Sequence, residues 1–325
     1  MEKKPNSITL ASLFSGVGGI DLGFQQAGAH VVWANDNDIY AKKTYALNFP
    51  DTPYDGRSII EIPTNEIPDH DILSAGFPCQ AFSIAGYRHG FNDHRGNLFF
   101  EIERILLEKE NKPKAIFLEN VKNLKTHDHK NTFRVIAGKL ADAGYYIKDK
   151  VLNTAEYGGI PQNRERIYIV GFREKQIAEK FEFPEKIDLT KSVFDLIDRT
   201  QRQDGIFYYK ENSQYYPMLI EALSNGQSET VFQIRRIYVR ENKSKVCPTL
   251  TANMGTGGHN VPIIRDNFGI RKLTPRETFL FQGFPVNYKL PVGMANSHLY
   301  KQAGNSVSVP VIARIAERIV KLLRE

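Results

Sequence analysis

Short apolar runs alternate with stretches of helical period through the first half of the chain. Residues 8–14, with Leu10, Leu13 and Phe14, predict a buried strand. The glycine-rich loop Ser15–Gly19 follows. Ile20, Leu22, Phe24 and Ala27 then lie on one helical face, and that helix is expected to end at Gly28. His30–Ala34 predicts a second strand, and Ile39–Asn48 a second helix with Asp38 as its N-cap. No period emerges between Pro50 and Pro68. Asp71–Ala75 predicts a third strand, Asn97–Lys109 a helix with Leu98, Ile102, Ile105 and Leu106 on one side, and Ala115–Leu118 a fourth strand. A helix at Thr132–Asp142 and strands at Tyr146–Leu152 and Ile167–Val170 continue the series. This alternation predicts an α/β fold built on an open parallel sheet.

From about residue 186 the alternation stops. Residues 200–230 read as polar and irregular, and strand-like runs appear at Phe232–Arg240 and Val246–Thr251. Thr274, Pro275 and Glu277 form a capping box that starts a helix over Pro275–Gln282, ending at Gly283. A last helix, Val309–Leu323, carries Val311, Ile312, Ile315, Ile319 and Leu322 and is expected to pack back on the first domain. The expected organisation is a large domain over 1–185, a smaller one over 186–270, and a hinge with a returning helix over 271–325.

In an open α/β sheet, ligands bind at the carboxyl ends of the strands, and the chemistry-bearing residues of this chain cluster after strands. Gly16, Gly18 and Gly19 follow the first. They let backbone approach a ligand, and the helix behind them offers free N–H groups. The third glycine of the dinucleotide fingerprint falls on Asp21, so the loop is not that motif; a plain tight turn is the bland alternative. Asp36, at the tip of the second strand about 20 residues on, is placed to accept ribose hydroxyls. The third strand leads into Gly76-Phe77-Pro78-Cys79-Gln80, where a proline stiffens the chain beside a thiol. A lone cysteine is usually a small buried hydrophobe; a cysteine in a glycine-rich loop at a strand end is also a candidate nucleophile. The long loop that follows holds Arg88, His89, His94 and Arg95, as a closing lid that grips an anion would. Glu119 ends the fourth strand. Arg164 and Arg166, two apart on an extended segment, face one way and could hold a phosphate or carboxylate, or make structural ion pairs.

Composition narrows the class. The chain has 325 residues, 41% hydrophobic and 25% charged, as in ordinary soluble domains. No apolar run approaches membrane-spanning length and the first residues are polar, so no membrane partner and a cytoplasmic location are expected. Two cysteines are too few for a disulfide framework or a Cys-rich zinc site, so no metal is expected. The net charge of +6 modestly favours a polyanionic partner. Arg235, Arg236, Arg240, Lys243 and Lys245 interleave with Phe232 and Tyr238, a pattern suited to nucleic acid although a solvated face gives it too.

Taken in order, these segments resemble the DNA (cytosine-5)-methyltransferase family of the restriction–modification type. Phe14–Gly19 looks like the cofactor loop, Gly76–Gln80 the nucleophile loop, Glu119-Asn120-Val121 the acid motif, and Gln162–Arg166 the arginine motif; Arg271–Pro285 and Gln302–Val307 match the late motifs. The resemblance covers most of the chain outside roughly 186–245. It implies a Rossmann-like S-adenosylmethionine-dependent sheet with a smaller, mostly β or irregular target-recognition domain. It further implies S-adenosylmethionine as cofactor, double-stranded DNA as partner, a monomer, and a cognate restriction endonuclease reading the same short site. Cofactor contacts would come from Phe14, Gly16, Gly18, Gly19, Asp36, Asn37, Ser58, Ile59, Pro78, Asn305, Ser306 and Val307. Arg57-Ser58-Ile59 departs from the Asp-Ile pair usual at the adenine. DNA contacts would come from Gln80, Ser83, Arg95, Arg235, Arg236, Arg240, Thr249, Leu250 and Gly257.

The implied chemistry has a physical logic. Carbon 5 of cytosine is a poor nucleophile until a thiolate adds at carbon 6, a role for Cys79. Arg164 is expected to lower the thiol's pKa. Glu119, raised by burial, would protonate or hydrogen-bond N3. Arg166 completes the catalytic group, and a bound water is expected to remove the C5 proton. The base must leave the stack. Three other readings share some of these features: a tRNA cytosine-5 methyltransferase, a catalytically dead DNA-binding protein of the same fold, and a nicotinamide oxidoreductase, the last disfavoured by the missing third glycine.

Overall fold

A computed structural model describes residues 7–78, 98–226, 229–235, 237–256 and 261–325. In chain order, the elements begin β1 (Thr9–Leu13), α1 (Gly19–Gln26), β2 (His30–Asn35), α2 (Ile39–Asn48), β3 (Tyr54–Asp55), β4 (Ile72–Ala75), α3 (Leu98–Glu108), β5 (Ala115–Val121), α4 (Asn131–Asp142) and β6 (Tyr146–Asn153). They continue with α5 (Thr154–Gly158), β7 (Gln162–Asn163), β8 (Glu165–Phe172), α6 (Lys175–Lys180), α7 (Tyr216–Asn225), β9 (Phe232–Ile234), β10 (Val239–Glu241) and β11 (Cys247–Pro248). The last are β12 (Ile263–Asp266), β13 (Gly269–Lys272), α8 (Pro275–Phe281), α9 (Asn296–Asn305) and α10 (Val309–Arg324).

The chain folds into two compact units. The first comprises Met1–Leu152, Glu165–Glu185 and Val311–Glu325, and the second Asn153–Arg164 and Lys186–Pro310. The second therefore takes in the short 153–164 segment and the 271–310 stretch, and is larger than the 186–270 read from composition. The first unit holds a seven-stranded sheet in the order β3-β2-β1-β4-β5-β8-β6. Strands β3, β2, β1, β4 and β5 run parallel, but β8 pairs antiparallel with β5, so the sheet is mixed rather than wholly parallel. The inner strands are mostly apolar because both sheet faces are covered; Leu10, Leu13, Ile72, Leu73, Ile116 and Phe117 have no exposed surface. α10 docks closely on α1: a Cβ built on Gly23 would fall 2.6 Å from Ile312 Cγ2.

The second unit holds a four-stranded sheet, β10-β9-β12-β13, antiparallel at each pairing, and a parallel pair of β7 with β11. α7 occupies part of the 200–230 stretch expected to be irregular. Its Leu219 packs with Phe232, Ile234, Ile263 and Ile270 of the sheet. Arg271 of β13 is fully buried, held by Asp266 Oδ2 at 2.6 Å and by both carboxylate oxygens of Glu277 at 2.8 Å. Glu277 also closes the expected capping box, accepting the Thr274 N–H at 2.7 Å.

Candidate active site

The first group of site residues lies where β1 turns into α1. Phe14 has φ +53, a left-handed conformation that is costly for a bulky side chain and concentrates at functional positions. Gly18 has φ +79 and is seated so closely on the end of α2 that a Cβ would fall 2.3 Å from Phe49; at Gly16 a Cβ would meet nothing within 4 Å among the described residues. The loop is thus pressed against the protein at Gly18 and has open space beside Gly16. Asp36, just past β2, braces it: Oδ2 accepts the Gly16 N–H at 2.9 Å and Oδ1 the Asp38 N–H at 2.8 Å. Asp38 in turn caps α2, accepting N–H groups of Tyr40 and Ala41. Asp36 and the helix cap Asp38 thus stand two residues apart. Asn37 is exposed beside it. Asn35 Nδ2 donates to the carbonyls of Asp55 and Arg57, which fixes the chain leading to Ser58. Ile59 is turned into the core beside Trp33 and Ile62, leaving the expected adenine contact little side chain to use.

The second group lies at the carboxyl ends of β4 and β5. Because β8 runs antiparallel, its first residues sit beside the last residues of β5, and Val121 pairs with Arg166. That direction brings Arg166 Nε to 3.2 Å from Glu119 Oε1, both side chains largely buried. Glu119 also borders Gly76, where a Cβ would lie 3.9 Å from Oε2. Asn120 Nδ2 donates to the Phe77 carbonyl at 2.8 Å in a fully buried bond. Phe77 is anchored against Phe99, while Pro78 is exposed. β5 therefore holds the chain at Phe77, two residues before Cys79 in the sequence, and its acid Glu119 is paired with the cation Arg166 of β8. Asn120, absent from the expected site residues, is the group sequence reading missed; its place beside Glu119 was the available signal. Cys79, Gln80, Ser83, Arg95, Arg236 and Gly257, with the expected lid, lie outside the described residues.

Arg164 makes a separate set of contacts among the described residues. It precedes β8 in the second unit, and its buried guanidinium donates to the carbonyls of Leu250 at 2.8 Å, Gly304 at 3.4 Å, and Ser306. Arg164 belongs to the second unit and Arg166 to the first. Gln162 adds bonds to the Phe281 carbonyl and the Leu250 N–H. Leu250, expected at DNA, is 1% exposed and packs with Ile160, Val193 and Met254. Thr249 Oγ1 donates to the Asn163 carbonyl at 2.6 Å. Leu250 is therefore a packing residue of the second unit, while Thr249 stays partly exposed. Gly304 lies so close to Thr251 that a Cβ would come within 2.2 Å of backbone. Asn305 is exposed, and Ser306 and Val307 are buried. Arg235 and Arg240 belong to a tight hairpin closed by Arg235 N–H to the Tyr238 carbonyl at 2.8 Å. Ile237 at its tip is 86% exposed.

Among the described residues no group of three or more potential metal ligands occurs, and no helix is long and apolar enough to cross a membrane. Comparison with known proteins gives a concordant picture. A family model described as C-5 cytosine-specific DNA methylase matches residues 8–321. The Type II methyltransferase M.Bsp6I of Bacillus sp. (strain RFL6) is 55% identical over 97% of this chain and 99% of its own. The Type II methyltransferase M.HhaI of Haemophilus parahaemolyticus is 39% identical over 98% and 96%. Among solved structures, Entamoeba histolytica methyltransferase EhMeth superposes with a TM-score of 0.75 at 22% identity, covering 99% of this chain and all of that one. A Spodoptera frugiperda DNMT2 mutant gives 0.73 at 22%, covering 98% and 100%, which speaks to the fold.

Proposed function

The chain belongs to the C-5 cytosine-specific DNA methylase family, and from that premise we propose that it methylates carbon 5 of a flipped-out cytosine in a short duplex DNA sequence, using S-adenosylmethionine and a covalent Cys79 adduct. The observation that carries the reading is the grouping at the ends of β4 and β5: Glu119 and Arg166 paired at 3.2 Å, with Asn120 holding the Phe77 carbonyl just before Cys79.

The first unit's glycine loop suits the cofactor. The room beside Gly16 among the described residues, the carboxylate of Asp36 at the loop and the half-buried Phe14 suit a nucleoside better than a pyrophosphate. Asp36 would hold the ribose hydroxyls and Phe14 the adenine, with Asn37, Ser58, Pro78, Asn305, Ser306 and Val307 as further candidate contacts. When bound, S-adenosylmethionine supplies an electrophilic methyl for carbon 5. The thiolate of Cys79 adds to carbon 6 and pushes electron density toward carbon 5 and N3. Glu119 donates a proton or hydrogen bond at N3, and Arg166 orients that carboxyl and offers N–H donors to the ring. Arg164 remains the proposed cation that lowers the pKa of the Cys79 thiol, with Arg166 as the partner of Glu119. A bound water is the proposed acceptor of the C5 proton; its loss and expulsion of the thiolate restore Cys79.

DNA contacts are proposed at Arg235 and Arg240, with Gln80, Ser83, Arg95, Arg236 and Gly257 from the undescribed segments. The names of the relatives support a place in a restriction–modification system, beside an endonuclease reading the same site. Transfer of labelled methyl to a duplex oligonucleotide library, with tRNA in parallel, tests the reading. Cys79→Ser should lose turnover and keep DNA binding; methylation retained in that variant, or labelling of tRNA alone, would overturn it.

A further inference from the structure

Behind the glycine loop lies a buried polar group that the reaction above does not use. Asp21, in the first turn of α1, has no exposed surface, and neither do Ser12 of β1 and Tyr45 of α2. The Ser12 and Tyr45 hydroxyls act on its carboxylate, yet among the described residues none of these oxygens makes a well-aligned hydrogen bond. The Tyr45 ring stacks on Phe49 at 4.5 Å and meets Tyr54 at 4.9 Å. This aromatic stack is the seat of Gly18, whose added Cβ would lie 2.3 Å from Phe49 and 3.0 Å from Tyr45. Asp21 and the loop therefore share one support. A carboxylate in such a place is costly to bury, and an apolar side chain would pack there more cheaply. Buried acids of this kind concentrate near functional sites.

We propose that Asp21 is a positioning residue for the cofactor loop, holding the Tyr45–Phe49 platform beneath Gly18 and placing a negative charge behind the loop that favours a cationic ligand in front of it. The inference rests on the loop's being the S-adenosylmethionine site. Burial raises the Asp21 carboxyl to about 6, with Ser12 and Tyr45 pulling it down, so the charge is present at pH 8 and largely gone at pH 5. Tyr45 and Tyr54, which face the same space, are pushed far up by burial and stay neutral in this range. Lys42 lies over the Tyr54 ring at 5.6 Å, and Asp36 and Asp38 act on Tyr54. From α10, Ile312 packs apolar surface at Gly23.

Affinity for a cationic sulfonium should therefore rise as pH increases through about 6, whereas the stability of the unliganded chain should fall over the same window, since a raised carboxyl favours its proton in the folded state. Calorimetric titration of the full chain with S-adenosylmethionine and with neutral S-adenosylhomocysteine, from pH 5 to 8, tests this. Wild type should bind the sulfonium about fivefold or more tightly at pH 8 than at pH 5, with a smaller change for the thioether. Asp21→Asn should flatten the difference while unfolding no earlier than wild type at pH 8. Tyr45→Phe, which removes a donor to the carboxylate, should move the midpoint to higher pH and serves if the first variant misfolds. An Asp21→Asn profile like wild type, equal shifts for both ligands, or an unmoved midpoint in Tyr45→Phe would overturn the role of Asp21. Wild type binding neither ligand would overturn the cofactor reading instead.

Discussion

Arg164 and Arg166 are separated by one residue and do unrelated work. Arg164 holds three backbone carbonyls inside its unit, and Arg166 faces the acid at the end of β5. Their conservative replacements should therefore separate. Arg166→Lys loses the planar fork and is expected to lower kcat by about 10²-fold or more, on the scale of removing one positioned donor, with the unfolding midpoint little changed. Arg164→Lys leaves buried carbonyls short of donors and should cost roughly 2–4 kcal/mol of stability, read by denaturant unfolding, before any effect on turnover is considered. Replacing Asn120 by Ala frees the Phe77 carbonyl and should cost about 1–3 kcal/mol, with kcat falling further than affinity for DNA. At this scale the sequence displayed residue types and left their partners undetermined. Alternation places Arg164 and Arg166 on one side of a strand, but β8 begins only at Glu165, so Arg164 never joins it. Leu250 likewise carried no mark that its side chain turns inward.

At the scale of elements, most of the first unit was legible because its strands are short, fully buried and separated by amphipathic helices with clear caps, such as Asp38. The direction of β8 was not legible. An apolar run reads the same parallel or antiparallel, and only its pairing partner decides. That direction is what carries Arg166 to Glu119. α7 was missed because its apolar positions, Leu219 above all, sit among polar and aromatic residues that blur the period. β12 and β13 were missed because charged residues interrupt their apolar positions, as in Ile263-Ile264-Arg265-Asp266. The capping box at Thr274 was legible in the second unit, but not that Glu277 also holds Arg271. Removing one member of that fully buried network leaves charge unpaired. Arg271→Ala is expected to destabilise the second unit by about 3–5 kcal/mol, whereas Arg271→Met with Asp266→Asn and Glu277→Gln together should recover much of the loss; thermal unfolding of the two variants checks it.

For the whole molecule, the order of motifs foretold the family. The two compact units were harder, because boundaries at Leu152 and Pro310 fall within regular elements rather than in loose linkers. If the hairpin carrying Arg235 and Arg240 engages DNA phosphates, replacing both by Gln should weaken binding across sequences. It should also reduce the slope of log K against log salt by about 1 for each phosphate left unneutralised, measured by fluorescence anisotropy. An unchanged slope would mean that other cations neutralise the phosphates. The first unit also has a temporal order written into its chain path. Its sheet is complete by Glu185, but the helix that covers Gly23 and reaches the Gly28 carbonyl through Arg324 belongs to the last residues. About 125 residues are synthesised in between, which at ~5–20 residues per second takes roughly 6–25 s. During that interval the nascent sheet carries an uncovered apolar flank on the ribosome. The first unit is therefore closed only after α10 has been made, well after its sheet.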